Sequence, residues 1–275
     1  MGIFDRIGNG WRLAMASIGV IRENRNLALF PVLSGIALIL VLAFFAGGIF
    51  LQRGFTIGRF SEMNETARYL LLFCFFFVTY AVMIFFNMAL VHCAMKRFDG
   101  GEPSVGDGIS FGFSRLGVVL SWAFLSATVG LILRIIEDKN ERIAQFVAGI
   151  LGMLWSVLTF LVVPVLAYEN ISIFDAVKRS SELLKNTWGE RIGANFAFGL
   201  INFLLLLFVA LPVGILIGLI NPLAGVAAGL VVVLVVLRVM SAAQTVFQAA
   251  AYRYAIGSPV PGFGADVMGS LFAQK

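Results

Sequence analysis

The longest polar segment of the sequence reads YENISIFDAVKRSSELLKNTWGER, from Tyr168 to Arg191, and long apolar runs flank it on both sides. Four of its apolar residues recur at helical spacing: Phe174, Val177, Leu184 and Trp188. Charged residues fill the positions between them, which is typical of a helix lying on a membrane surface. The segment therefore predicts an interfacial helix over residues 172–188, placed between two membrane-spanning helices.

Composition places the rest of the chain in the membrane class. Hydrophobic residues make up 60% of the sequence and charged residues only 13%, whereas a soluble chain is about half apolar and about a quarter charged. The net charge is +5, and the basic residues cluster at the ends of apolar runs. This distribution favours anionic membrane lipids as partners and argues against a nucleic-acid-binding surface.

Six apolar runs are long enough to cross a hydrocarbon core of ~30 Å. They predict spans over residues 27–51, 69–95, 116–136, 143–168, 192–220 and 223–256. A second amphipathic stripe predicts an interfacial helix over residues 3–22. The predicted fold is all-α, a polytopic bundle with one integral membrane domain over residues 1–256 and a short tail over residues 257–275.

The distribution of lysine and arginine orients this bundle. Thirteen of these residues lie in the N-terminal segment, residues 96–115, residues 169–191 and the region from Arg253, and six lie in the opposite loops. Basic residues concentrate on the cytoplasmic side of membrane proteins. We therefore expect both termini, and the amphipathic helices with them, on the cytoplasmic side.

A short pattern recurs along the chain as IFDRI at Ile3, VGDGI at Val105 and IFDAV at Ile173, and two spans follow each copy. One interpretation is three repeated units, each an interfacial helix plus a two-helix hairpin. The other is that any loop re-entering a membrane favours an amphipathic turn with an aspartate near its helix start. The sequence leaves both open.

Motifs for familiar reactions are missing from the sequence. It holds neither the GxxxxGK[ST] phosphate loop nor a GxGxxG after a strand, and its single histidine, His92, excludes a His-pair metal site. Cys74 and Cys93 would lie ~28 Å apart on one helix at ~1.5 Å per residue, too far to bridge. We expect no catalytic residue, no metal, no cofactor and no enzyme activity.

Five charged residues are candidates for binding a ligand or lipid: Arg238, Glu169, Glu190, Lys178 and Arg179. Arg238 lies in the sixth predicted span, ~22 Å from its start. It is either a snorkelling or ion-paired structural residue, or an anchor for an anionic ligand or lipid phosphate. Glu169 and Glu190 are its predicted partners, because both should lie at the same membrane level. Lys178 and Arg179 would attract anionic lipid.

Small and polar residues inside the spans predict close helix packing. Glycine pairs at Gly214/Gly218 and Gly225/Gly229 flank the Asn221-Pro222 turn and predict a tightly packed hairpin, while Pro212 interrupts the fifth span. Three asparagines lie within spans: Asn87, Asn195 and Asn202. They predict hydrogen bonds between helices, or alternatively a polar pathway.

Several stretches carry a family resemblance. They are NMALVHCAMKRFDGGEPSVGDGI, LSWAFLSATVGLILR from Leu120, WSVLTFLVVPVLAYENISIFDAVKRSSELLKNTWGE from Trp155, and VFQAAAYRYAIGSPVPGF from Val246. They resemble an uncharacterised, domain-of-unknown-function family of bacterial and archaeal multi-span membrane proteins. The chain is also similar, more loosely, to the membrane domains attached to some glycerophosphodiester phosphodiesterases, whose catalytic barrel it lacks. The resemblance implies an integral protein of a prokaryotic inner membrane and supplies no catalytic residues.

The sequence favours a non-catalytic membrane component that binds lipid or a partner protein. The alternative is a small-molecule or lipid transporter that uses spans five and six with Arg238. Few ionisable residues lie inside the spans, and coupled transport usually needs some, so transport ranks second and an intramembrane enzyme third. Oligomeric state does not follow from the sequence.

Overall fold

A computed structural model describes residues 3–53, 64–138, 142–188, 203 and 205–263, and within these ranges the regular secondary structure is entirely helical. The helices are α1 (Ile3–Glu23), α2 (Arg25–Arg53), α3 (Glu65–Phe98), α4 (Val105–Ser114), α5 (Leu116–Glu137), α6 (Arg142–Leu158), α7 (Val162–Tyr168), α8 (Ile173–Trp188), a π-helical turn (Leu206–Ala210), α9 (Leu211–Gly218) and α10 (Pro222–Ala255).

Five helical segments are long and apolar enough to cross a membrane: Asn26–Gly47, Glu65–Phe98, Leu116–Glu137, Arg142–Tyr168 and Ala228–Ala255. They coincide with five of the six predicted spans and indicate an all-α, multi-pass membrane protein. Residues 192–202 and 204 of the predicted fifth span, 192–220, lie outside the described residues, and the described part contains a shorter apolar helix at Leu206–Gly218. The count of six spans therefore stays a prediction.

The contacts of the chain group into two compact units. The first comprises Met1–Val32, Leu90–Val105 and Glu182–Lys275, and the second comprises Leu33–Ala89 and Gly106–Ser181. The unit boundaries fall within α2, α3, α4 and α8, so these helices contribute to both units. The single integral domain over residues 1–256 and the tail over residues 257–275 stay predictions.

In the first unit, α1 packs against α10. Leu13, Ala14 and Ser17 on α1 are completely buried, while Trp11 and Met15 are 46% and 42% exposed. The predicted helix over residues 3–22 is thus confirmed as a helix. One face of it belongs to a protein core, so α1 does not rest on a membrane surface alone.

Glycine ends both α3 and α10 in the same way. Gly100 and Gly257 have φ angles of 82° and 79°, a conformation that costs glycine little and other residues more. The next backbone N–H groups, of Gly101 and Ser258, donate to Lys96 and Arg253 carbonyls 3.0 Å away. This is the Schellman pattern, which satisfies carbonyls at a helix end.

Arg253 joins the two helix ends that these glycines create. Its NH1 atom lies 2.6 Å from an Asp99 carboxylate oxygen, and its Nε donates to the Pro259 carbonyl at 2.6 Å. The Arg253 side chain is only 12% exposed, so this ion pair is better shielded from water than a typical surface pair. The chain after α3 and the chain after α10 are therefore held together.

The α9–α10 hairpin confirms the prediction made from the glycine pairs. A Cβ atom on Gly214 would lie 3.4 Å from the Gly229 Cα, and a Cβ on Gly225 would collide with the Gly218 backbone. Pro212 follows the π-helical turn, in which the Leu211 N–H bonds to the Leu206 carbonyl. The wider turn accommodates a residue that has no N–H to donate.

In the second unit, α4 packs on α3 through glycine. Gly108 and Gly112 are the buried residues of α4, and a Cβ on Gly112 would lie 2.8 Å from the Phe85 ring. The adjacent Phe113 ring meets Phe85 edge-on, with centroids 5.1 Å apart. Glycine here permits close approach of two helices, in the manner of small residues at membrane helix interfaces.

The helix α4 begins with the middle copy of the recurring pattern, and α8 begins with the last copy. Buried small residues lie one and five positions after the pattern's aspartate in both helices, as Gly108 and Gly112 in α4 and as Ala176 and Ser180 in α8. This shared placement supports a repeat. The threefold arrangement itself stays a prediction.

The fourth predicted span, residues 143–168, coincides with the apolar segment Arg142–Tyr168, which is interrupted near its end. Helix α6 ends at Leu158 and α7 begins at Val162. The cause is Pro164, which has no N–H for the carbonyl four residues earlier, at Phe160, and whose ring would clash with that carbonyl.

Replacing Gly225 with alanine should destabilise the hairpin by about 1–3 kcal/mol, because backbone atoms of Gly218 occupy the space and cannot rotate away as a side chain can. Thermal unfolding in a fixed detergent measures the loss. Gly149→Ala is the matched control, since nothing lies within 4 Å of a Cβ at that helical position. Equal unfolding midpoints for the two variants would contradict the packing described.

Candidate functional site

The break between α6 and α7 leaves a backbone N–H without a helical partner, and α8 supplies one. The Leu161 N–H donates to the Ser180 hydroxyl at 3.1 Å, and this hydrogen bond is buried. Ser180 and Ala176, one turn earlier on α8, are both 0% exposed. A donor and an acceptor buried together fix the rotation of α8 about its axis, since turning the helix would leave both unsatisfied.

The face of α8 that carries Ala176 and Ser180 is its inner face, and the opposite face of the helix is exposed. Phe174 is 75% exposed, and Lys178 and Lys185 are exposed on the following turns. We call Phe174, Lys178 and Lys185 the outer face of α8. It presents one large aromatic ring and two ammonium groups, a combination suited to the boundary between lipid headgroups and acyl chains.

The structure divides the predicted apolar stripe of α8. Leu184 is buried at 8% exposure, whereas Phe174 lies on the outer face. The inner face includes Ala176 and Ser180, which are too small to appear in a pattern of large apolar residues. The side chain of Trp188 lies outside the described residues.

Helix α8 begins with a cap that holds its first turn. The Asp175 N–H donates to the Ser172 hydroxyl at 3.2 Å, and that hydroxyl donates to the Asp175 carboxylate at 2.6 Å. This is a reciprocal arrangement of the capping-box type. The aspartate of the recurring sequence pattern therefore helps to start the helix.

Two of the predicted site residues meet in the structure. The Arg179 Nε donates to both carboxylate oxygens of Glu169, each at 3.2 Å. The pair closes the loop between α7 and α8, and its side chains are 40% and 22% exposed. A partly exposed pair of this kind adds little stability, but it offsets the charge of Arg179, which leaves Lys178 as the neighbouring cation directed outward.

Arg238 lies half-buried on α10 in the first unit. Among the described residues, no carboxylate forms a salt bridge with it. Its predicted partner Glu190 falls outside the described residues, as do Asn195 and Asn202. The pairing of Arg238 with Glu169 or Glu190, and its role as structural residue or ligand anchor, stay predictions.

Arg115, between α4 and α5, is one of the basic residues from which the topology was predicted, and its sequence context gives no further signal. Its NH1 atom donates to the Asn170 side-chain oxygen at 3.3 Å, and its guanidinium lies 6.0 Å from the Phe111 ring centroid. Phe111 in turn stacks on Tyr168, with centroids 6.0 Å apart. Nothing in the linear sequence relates Arg115 to Asn170, 55 residues later.

No group of three histidine, cysteine, aspartate or glutamate side chains that could hold a metal ion occurs in the part of the chain that the structure describes. The absence of a metal and of a cofactor stays a prediction.

Comparison with known proteins gives a family without an activity. Residues 66–262 match DUF6159, a family of unknown function. No curated protein matches the chain. The family match confirms the resemblance to an uncharacterised family. The bacterial and archaeal origin and the likeness to phosphodiesterase-linked membrane domains stay predictions.

Ser180→Ala should cost about 1–3 kcal/mol of stability, because it leaves the buried Leu161 N–H without an acceptor. Ser181→Ala is the matched control: the Ser181 hydroxyl is exposed and bonds only within its own helix, to the Lys178 carbonyl at 2.7 Å. Unfolding midpoints of both variants in one detergent provide the measurement. An equally small effect at both serines would show that the hydrogen bond does not fix α8.

Proposed function

Because the chain belongs to the DUF6159 family of unknown function, we propose its function from the site: a non-catalytic integral membrane component that binds anionic lipid through the outer face of α8. The observation that carries this proposal is the fixed rotation of α8. The hydrogen bond from Leu161 to Ser180 holds one face of α8 in the second unit, and Phe174 and Lys178 are exposed on the opposite face.

The chemistry of the outer face suits an anionic membrane surface. An exposed aromatic ring gains by entering the headgroup region, where its apolar body leaves water. A basic side chain near a membrane that contains anionic lipid gains about 1 kcal/mol. Phe174 and Lys178 are four residues apart on one helical face, so both can reach the membrane at once.

The topology predicted from basic residues completes the proposal. Six spans would place both termini, α4 and α8 on the cytoplasmic side of a prokaryotic inner membrane, where thirteen of the lysines and arginines concentrate. The cytoplasmic leaflet carries the anionic lipids that attract such residues. A membrane partner protein would then meet a surface already held at the headgroup level.

Loss of the two lysines should weaken the preference for anionic lipid. In nanodiscs of mixed phosphatidylglycerol and phosphatidylcholine, Lys178→Gln/Lys185→Gln should lower phosphatidylglycerol enrichment around the protein by up to about fivefold per lysine. Native mass spectrometry of the released protein–lipid complexes measures this enrichment.

The matched control is Arg68→Gln/Arg142→Gln. It removes the same charge from the start of α3 and the start of α6, which the predicted topology places on the opposite side of the membrane. The proposal expects a smaller change there. Equal losses in the two double variants would mean that net charge, and not the outer face of α8, sets the lipid preference.

A transporter that uses spans five and six with Arg238 is the second candidate. Polar residues recur at helical spacing along one side of α10: Arg238, Ser241, Thr245 and Gln248. A polar stripe in an apolar helix is typical of a ligand pathway or a helix contact. If Arg238→Ala removes a small anionic molecule that remains bound to the wild type during gentle extraction, transport becomes the better account.

A further inference from the structure

Arg115 is a cation that two neighbouring side chains orient and that has no carboxylate partner within the part of the chain that the structure describes. Asn170 accepts from one of its N–H groups, and the Phe111 ring lies beneath the guanidinium. A guanidinium has five N–H donors in a rigid plane. Among the described residues, no acidic side chain forms a salt bridge with Arg115.

Arg179 differs from Arg115 in having a carboxylate partner. Arg179 donates to both carboxylate oxygens of Glu169, so its charge is already compensated within the protein. Arg115 is half-buried and still has donors to offer. A planar guanidinium held in one orientation is the group that binds a phosphate through two parallel hydrogen bonds.

The surroundings of Arg115 identify the source of that phosphate as a lipid. Tyr168, which stacks on Phe111, is 39% exposed, and Ile171, next to Asn170 in the loop between α7 and α8, is 37% exposed. Leu116, next to Arg115 in the chain, is 39% exposed. Apolar side chains left uncovered beside a cation fit a ligand that has both a phosphate and a hydrocarbon part.

We propose that Arg115 binds the phosphodiester of one anionic glycerophospholipid molecule, at a stoichiometric site distinct from the general attraction of the outer face of α8. This inference rests on the proposed function, because it names the residue that recognises the lipid headgroup. The headgroup carries no positive charge of its own, since an ammonium close to the guanidinium would be repelled. Asn170 is the positioning residue, and Arg115 makes the contact.

The test uses the full chain in nanodiscs of phosphatidylglycerol and phosphatidylcholine, with native mass spectrometry at increasing activation energy. The wild type should retain one phosphatidylglycerol molecule per chain after the other lipids have left. Arg115→Lys keeps the charge but loses the planar pair of donors, and should lower the retained fraction about tenfold. Asn170→Ala should lower it less, while retained phosphatidylcholine is unchanged.

Arg134→Lys is the control, because Arg134 lies in the last turn of the same helix α5 and pairs with Glu137 and Asp138. It should leave the retained lipid unaltered. If Arg115→Lys retains phosphatidylglycerol as the wild type does, the Arg115 site is overturned. If inorganic phosphate binds the protein in phosphatidylcholine nanodiscs, and the same phosphate displaces the retained phosphatidylglycerol in the mixed nanodiscs, the ligand is a free anion and the lipid assignment fails.

Failure of this inference can be told apart from failure of the proposed function. Loss of enrichment in Lys178→Gln/Lys185→Gln with an unchanged Arg115→Lys variant supports the outer face of α8 and rejects the Arg115 site. No effect of either set of substitutions rejects both.

Discussion

A backbone N–H group inside a membrane protein has to find an acceptor, because the hydrocarbon offers none and an unsatisfied group costs several kcal/mol. Pro164 creates such a problem by ending the helical hydrogen bonding between α6 and α7. The Leu161 N–H is then paired with the Ser180 hydroxyl of another helix. This bond holds an amphipathic helix, otherwise free to rotate on a membrane surface, in one rotational state.

The rest of the site depends on that state. With Ala176 and Ser180 turned inward, Phe174 and Lys178 are turned outward, and the Ser172–Asp175 cap fixes where the helix begins. Small residues also determine which helix faces pack together elsewhere in the chain. Gly112 lets α4 approach Phe85 on α3, and in the other unit Gly225 lets α10 approach α9. In an apolar chain, where hydrophobicity cannot distinguish one helix face from another, the positions of small residues decide which faces meet.

The role of small residues and of folded contacts explains which features of the structure the sequence predicted and which it did not. Long apolar runs predicted the spanning helices because length and hydropathy are sufficient for that purpose, and the glycine pairs predicted the α9–α10 hairpin. The inner face of α8 was missed because the amphipathic pattern is drawn by large apolar residues, whereas Ala176 and Ser180 are small. The break at residues 159–161 was missed because Pro164 lies close to the predicted end of the span. Arg115 was missed because its partners, Asn170 and the Phe111–Tyr168 stack, become neighbours only in the folded chain.

The rotation of α8 can be measured directly by spin labelling in a background with Cys74 and Cys93 replaced by alanine. Labels introduced by Phe174→Cys, Ala176→Cys and Lys178→Cys are compared for collision with oxygen, which concentrates in lipid, and with a water-soluble nickel complex. The account predicts that the label at position 174 collides frequently with oxygen and that the label at position 178 collides frequently with the nickel complex. The label at position 176 should collide rarely with either. Equal accessibility at all three positions would show that α8 is free to rotate and would contradict the account.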